Sequence, residues 1–142
     1  NIVLFRDQLA RHFWVDFNQS ILVGFSRGGN FAIELGAIYP HKFHNIVCLF
    51  GFFNRGVNHI LKRNYTRQLY TDSRFYFITG KRDLSLNASL FGHDSLTRYH
   101  IKSKVFVYSD LIHAYPDPLS KVVLEIQDWM FFGGRGDLSV TF

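Results

Sequence analysis

The sequence predicts an α/β fold, a mostly parallel sheet with helices on both faces. Four short runs rich in apolar and branched residues, 21–23, 46–50, 75–79 and 104–108, read as strands. Each is apolar on both faces, as a strand buried between two layers must be. Segments with apolar residues at helical spacing lie before, between and after them.

In chain order, residues 2–13 place apolar side chains at 2, 5, 9 and 13, and predict an amphipathic helix. Ile21-Leu22-Val23 is a branched run closed by Gly24, a buried strand. Residues 30–38 are apolar at 31, 32, 35 and 38. They predict a helix that Tyr39-Pro40 ends, because proline has no N–H to continue it. The runs 46–50 and 75–79 are closed by Gly51 and Gly80, and 104–108 is the fourth strand. Residues 119–131, apolar at 119, 122, 123, 126, 129 and 130, predict a closing helix. No repeat, low-complexity run or linker divides the chain, so residues 1–130 read as one domain. Residues 131–142 read as a Gly-rich tail. Arg135-Gly136-Asp137 lies in it and is read as inert, since so short a motif recurs by chance.

Composition narrows the function classes. With 47% hydrophobic and 19% charged residues, the 142-residue chain has a core to bury and is not a disordered segment. No run approaches the roughly 18 apolar residues of a membrane span, so no membrane span is expected. Cys48 is the single cysteine and cannot form an internal disulfide. The histidines show no ligand spacing and the cysteine is alone, so no metal site is expected. No basic, apolar and small-residue leader follows Asn1, and the expected location is cytoplasmic. Residues 54–82 hold seven Lys or Arg against Asp72 alone. Without a recognised nucleic-acid motif, they read as a solvated helix face rather than a nucleic-acid site.

The strongest chemical signal is Gly24-Phe25-Ser26-Arg27-Gly28-Gly29, between the first strand and the helix after it. G-x-S-x-G in that setting is the pattern of a nucleophile elbow. The tight turn lifts the serine hydroxyl clear of the sheet on strained backbone. Neighbouring chain passes close by, so the flanking positions need almost no side chain. The N–H of Arg27 then points where an oxyanion would form, and the helix N-terminus adds a favourable partial charge. The plain reading of the same stretch is a Gly-rich connection.

A serine hydroxyl needs a base, and the base needs an orienting acid. Asp83 directly follows the third strand and His113 the fourth. Both lie past the carboxyl ends of strands, where open α/β sheets put their sites. The order Ser26, Asp83, His113 is the order that accompanies this elbow. Asp110 is the rival acid, but three residues before His113 it reads as a turn residue. His93 and His100 read as surface residues.

From about residue 15 to residue 129, the chain resembles the carboxyl-terminal half of an α/β-hydrolase. It is most like the esterase and polyhydroxybutyrate-depolymerase-like branch. The likeness rests on Val15-Asp16 before the first strand, on G-x-S-x-G-G, and on His113-Ala114-Tyr115-Pro116-Asp117-Pro118, followed by a helix ending near Asp128-Trp129. It implies Ser26 as nucleophile, Asp83 as acid, His113 as base and the Arg27 N–H as an oxyanion donor. It further implies a small-molecule or polymer ester as substrate, and no cofactor. Ile112 and Arg27 depart from the family, which commonly has Gly before the histidine and a small residue after the serine. The family's first strands have no counterpart here, which leaves the first strand as an open apolar edge. A companion chain, a homodimer along that edge or a longer parent protein would cover it. A peptidase of the same fold and a catalytically inactive, truncated binding domain are the alternative readings.

Overall fold

The computed structural model describes residues 1–133 and 139–140. Five strands form one parallel sheet in sequence order: β1 (Ile21–Phe25), β2 (Asn45–Leu49), β3 (Arg74–Gly80), β4 (Lys102–Tyr108) and β5 (Ser139–Val140). The helices are α1 (Ile2–His12), α2 (Arg27–Ile38), α3 (Arg55–Asn64), α4 (Leu86–Arg98) and α5 (Leu119–Phe132).

Successive strand residues point to opposite faces, and both faces are covered. On one, Ile46, Cys48, Phe75, Phe77, Val105 and Val107 pack with Ala32, Ile33 and Ala37 of α2, Val57 and Leu61 of α3 and Leu96 of α4. On the other, Val47, Leu49, Tyr76 and Ile78 pack with Val122, Ile126, Trp129 and Met130 of α5. This is why the strand runs are apolar throughout. Each Val, Leu, Ile, Phe or Met among these stabilises the fold by about 1.5–3 kcal/mol when fully buried.

The boundaries differ from expectation in ways that bear on the site. α2 starts at Arg27 rather than residue 30. Gly28 and Gly29 occupy its first turn and break the apolar period there, but packing against the sheet holds them helical. β1 runs on through Gly24 to Phe25, and β2 ends at Leu49 because Phe50 turns to φ 53°. α5 continues to Phe132, and Ser139–Val140 pairs with β4 as a fifth strand that no apolar run announced. Arg135-Gly136-Asp137 lies outside the described residues.

α1 forms as predicted, with Asn1 Oδ1 accepting from Val3 N at 3.1 Å, yet none of its residues is buried. Ile2, Leu4 and Phe5 are exposed. The helix is held by a Lys42–Asp7 ion pair at 2.6 Å and by the Arg6 guanidinium over the Phe17 ring. Among the described residues, β1 pairs on one side only, and Val23 at its centre is 55% exposed. The basic stretch is largely α3 and the turns after it, where Arg55, Lys62, Arg63 and Arg67 are exposed to solvent, as expected.

Because every strand runs the same way, the carboxyl ends of β1, β3 and β4 meet at one edge of the sheet. Ser26, Asp83 and His113 leave from those ends.

Candidate active site

Ser26 sits between β1 and α2 with φ 54° and ψ −118°, a backbone region that favours glycine. Such a conformation costs on the order of 1–3 kcal/mol and persists only where its surroundings impose it. Here the Ser26 N–H donates to Leu49 O at 2.7 Å, tying the turn to β2. The first turn of α2 lies directly on β1: a Cβ on Gly24 would stand 2.1 Å from Gly28 O. Gly29 is crowded as well, by Cys48 Sγ at 2.9 Å and the Gly51 backbone at 3.3 Å. Gly28 differs from expectation. A Cβ there would meet nothing within 4 Å, so the close approach falls on Gly24 and Gly29.

His113 is carried by the loop after β4. The loop is pinned to the end of β3, with Lys81 N–H donating to Tyr108 O at 2.8 Å. Leu111 O lies where a Cβ of Gly80 would be, at 1.7 Å. His113 takes φ 39°, whereas Ile112 keeps ordinary backbone and needs no glycine. The imidazole rests against Phe25 and Phe50, with ring centroids 5.2 and 5.8 Å away, and Tyr115 stacks on Phe25 at 4.5 Å.

Three side chains meet in a line. His113 Nε2 is 2.9 Å from Ser26 Oγ, and His113 Nδ1 is 3.1 Å from Asp83 Oδ2. An ionised carboxylate only accepts. With Asp83 ionised, Nδ1 carries the proton and Nε2 is left to accept from the Ser26 hydroxyl. Asp83 is 8% exposed. Burial pushes its carboxyl up, but hydrogen bonds from the Ser85 hydroxyl and N–H and from His113 outweigh that and hold it below the ordinary value. The other oxygen, Oδ1, accepts from Ser85 N at 2.7 Å and from Ser85 Oγ.

Arg27 opens α2, so its N–H is among the first-turn amides without an intrahelical acceptor, while its side chain is exposed. Asp110 is exposed and accepts from Ser109 Oγ at 2.7 Å, a local turn contact, while the carboxylate hydrogen-bonded to His113 is that of Asp83. His100 is exposed, but His93 is half-buried, with Nδ1 2.7 Å from Ser103 Oγ, and is not the surface residue expected. The aromatic bed of Phe25, Phe50 and Tyr115 and the Ser85 contacts to Asp83 were not read from the sequence. Among the described residues, no His, Cys, Asp and Glu group is arranged to hold a metal ion, and no helix is long and apolar enough to cross a membrane.

No protein-family model matches the sequence, and no curated protein matches it. Solved structures do. Arabidopsis thaliana SOBER1 superposes with a TM-score of 0.66 at 13% identity, over 90% of this chain and 60% of its own. The fluorophosphonate-binding serine hydrolase FphF of Staphylococcus aureus gives 0.70 at 16%, over 91% and 61%. A ferulic acid esterase gives 0.67 at 14%, over 87% and 55%. The chain thus spans about 60% of the length of these structures. With its parallel sheet, its strand-to-helix turn at Ser26 and these neighbours, the chain has the fold of the α/β-hydrolases.

Proposed function

We propose that the chain is a serine hydrolase acting on carboxylic esters, small or polymeric. The observation that carries this reading is the hydrogen-bonded line Ser26–His113–Asp83 at the carboxyl edge of the sheet. His113 Nε2 takes the Ser26 proton as Oγ attacks the acyl carbon. The imidazolium so formed is stabilised by the buried Asp83 carboxylate. The oxyanion develops near the Arg27 N–H, at the positive end of α2. His113 then returns its proton to the leaving alcohol, which leaves an acyl group on Ser26. A water deprotonated by His113 attacks that acyl group, frees the acid and restores Ser26. No step requires a cofactor. The names of the neighbours, esterases and a serine hydrolase among them, support the same reading.

Labelling with a fluorophosphonate probe tests it. The expected result is labelling of the wild-type chain that Ser26→Ala abolishes and His113→Ala strongly slows. Labelling that survives Ser26→Ala overturns the reading. A matched ester and amide pair then separates an esterase from a peptidase, with faster ester turnover expected.

We infer as well that the outer edge of β1 takes a further strand, from a companion chain, a second copy or more of the same polypeptide. The exposed Val23 at the centre of an edge strand supports this, since such an edge offers unpaired N–H and C=O groups beside apolar surface. Sedimentation of the isolated chain should show association that Val23→Lys weakens. A chain that stays monomeric at every concentration would refute pairing between copies.

A further inference from the structure

Asp83 has two oxygens, and only one faces His113. Oδ1 points the other way and accepts from both the backbone N–H and the hydroxyl of Ser85. Ser85 is fully buried. Its Oγ lies 2.8 Å from Oγ1 of Thr79, which is also fully buried and stands at the end of β3. The proton directions follow from valence. The carboxylate only accepts, so the single Ser85 proton goes to Oδ1. Thr79 must then be the donor between the two hydroxyls. The order Thr79 to Ser85 to Asp83 is fixed, and it ends on the oxygen opposite the one that His113 uses.

We propose that Ser85 is a positioning residue for the reaction, holding Asp83 ionised and turned so that Oδ2 meets His113 Nδ1, with Thr79 orienting the Ser85 hydroxyl. The proposal rests on the hydrolase reading for its catalytic consequence, but its geometry stands without that reading. The carboxylate follows β3 in a short loop in which Asp83 N–H donates to Gly80 O at 3.0 Å. Among the described contacts, Ser85 makes every hydrogen bond on Oδ1. Without its hydroxyl, the carboxylate keeps one N–H on that side and is freer to rotate away from the imidazole. A hydrogen bond that assists a charge contributes about twice what a neutral one does.

The test measures Asp83 and turnover separately. Carbon-detected NMR titration of the Asp83 carboxyl in the full chain should show its pKa raised in Ser85→Ala, because donors to the ionised form have been lost. Thr79→Val keeps the volume and removes only the orienting O–H, so it should move the pKa the same way by less. An unchanged Asp83 titration in both variants overturns the proposal. In kinetics, Ser85→Ala should lower kcat about tenfold or more with KM little changed, the size expected for one hydrogen bond to a charged group. In an Asp83→Asn background, the same substitution should cost nothing further, since Ser85 acts through Asp83. A full further loss in that background overturns the positioning role. If the wild-type chain shows no turnover dependent on Ser26, the hydrolase reading falls, and the NMR titration still decides what Ser85 does to Asp83.

Discussion

Replacing Gly80 by alanine attacks the alignment of the base without touching any of the three aligned side chains. Gly80 ends β3, and the His113 loop lies across it so closely that a Cβ would stand 1.7 Å from Leu111 O. Real Cβ contacts stay above 3.0 Å, so Leu111 must retreat by the difference, about 1.3 Å, or β3 must yield. β3 is locked between β2 and β4 and is buried from Phe75 to Gly80, so the loop is what moves. Two residues on, His113 holds contacts of 2.9 Å to Ser26 and 3.1 Å to Asp83, and a shift of that size exceeds hydrogen-bond tolerance at either end. A misplacement of about 1 Å in a reacting group costs about 100-fold, equivalent to about 2.7 kcal/mol in the barrier. Gly80→Ala should therefore remain folded by far-UV circular dichroism but react with a fluorophosphonate about 100-fold more slowly than wild type. A folded Gly80→Ala chain labelled at the wild-type rate would refute the claim that the β3 end sets the position of His113.

Three further outcomes follow from the packing and the charges. Gly24→Ala should prevent folding, because its Cβ would strike the backbone of α2 2.1 Å away, and a helix packed on the sheet cannot retreat as the His113 loop can, whereas Gly28→Ala should fold and melt no lower than wild type, since its Cβ meets open space; equal melting temperatures for the two variants would contradict this. Cys48 is buried and its thiol is pushed up to about 12 by burial, against a weaker opposing backbone hydrogen bond from Gly51. A disulfide reagent should then modify it no faster than the chain unfolds, and rapid modification of the native chain would show the core to be open. The Asp83 carboxyl is lowered in the folded chain, so the stability it contributes is fully present above its ordinary value of 3.8 and is lost as pH falls through the folded value. Denaturant midpoints of wild type and Asp83→Asn should converge on acidification below that range, and a gap that widens there would reverse the sign.

What was legible in the sequence is what repeats or what is chemically rare. The apolar runs disclosed β2, β3 and β4 because strands buried on both faces must be apolar throughout. The G-x-S-x-G turn and the strand-end positions of Asp83 and His113 disclosed the residues that meet at the site, because a parallel sheet gathers its carboxyl ends on one edge. The beginning of α2 was hidden, since Gly28 and Gly29 have low helix propensity and only packing makes them helical. β5 was hidden because two residues carry no period. Ser85 and the bed of Phe25, Phe50 and Tyr115 were hidden for another reason. Serine and phenylalanine are common, and their roles arise from distances across loops that are far apart in sequence.

The open edge of β1 and the hydrogen-bonded line can be perturbed independently. Ser26 is tied inward, its N–H on Leu49 O of β2, while Asp83 and His113 hang from β3 and β4. None of these contacts uses the outer side of β1. Val23→Lys, at the centre of that strand, places a charge on the sheet face beside an added strand, a device by which edge strands resist pairing. Because Val23 is already 55% exposed, the substitution sacrifices little burial, and the melting temperature of the isolated chain should change little. Association measured by sedimentation should fall, while the rate of fluorophosphonate labelling per folded monomer should stay at the wild-type value. If labelling falls in step with association, the strand added at that edge takes part in the chemistry, and the line Ser26–His113–Asp83 is not sufficient for nucleophilic attack on its own.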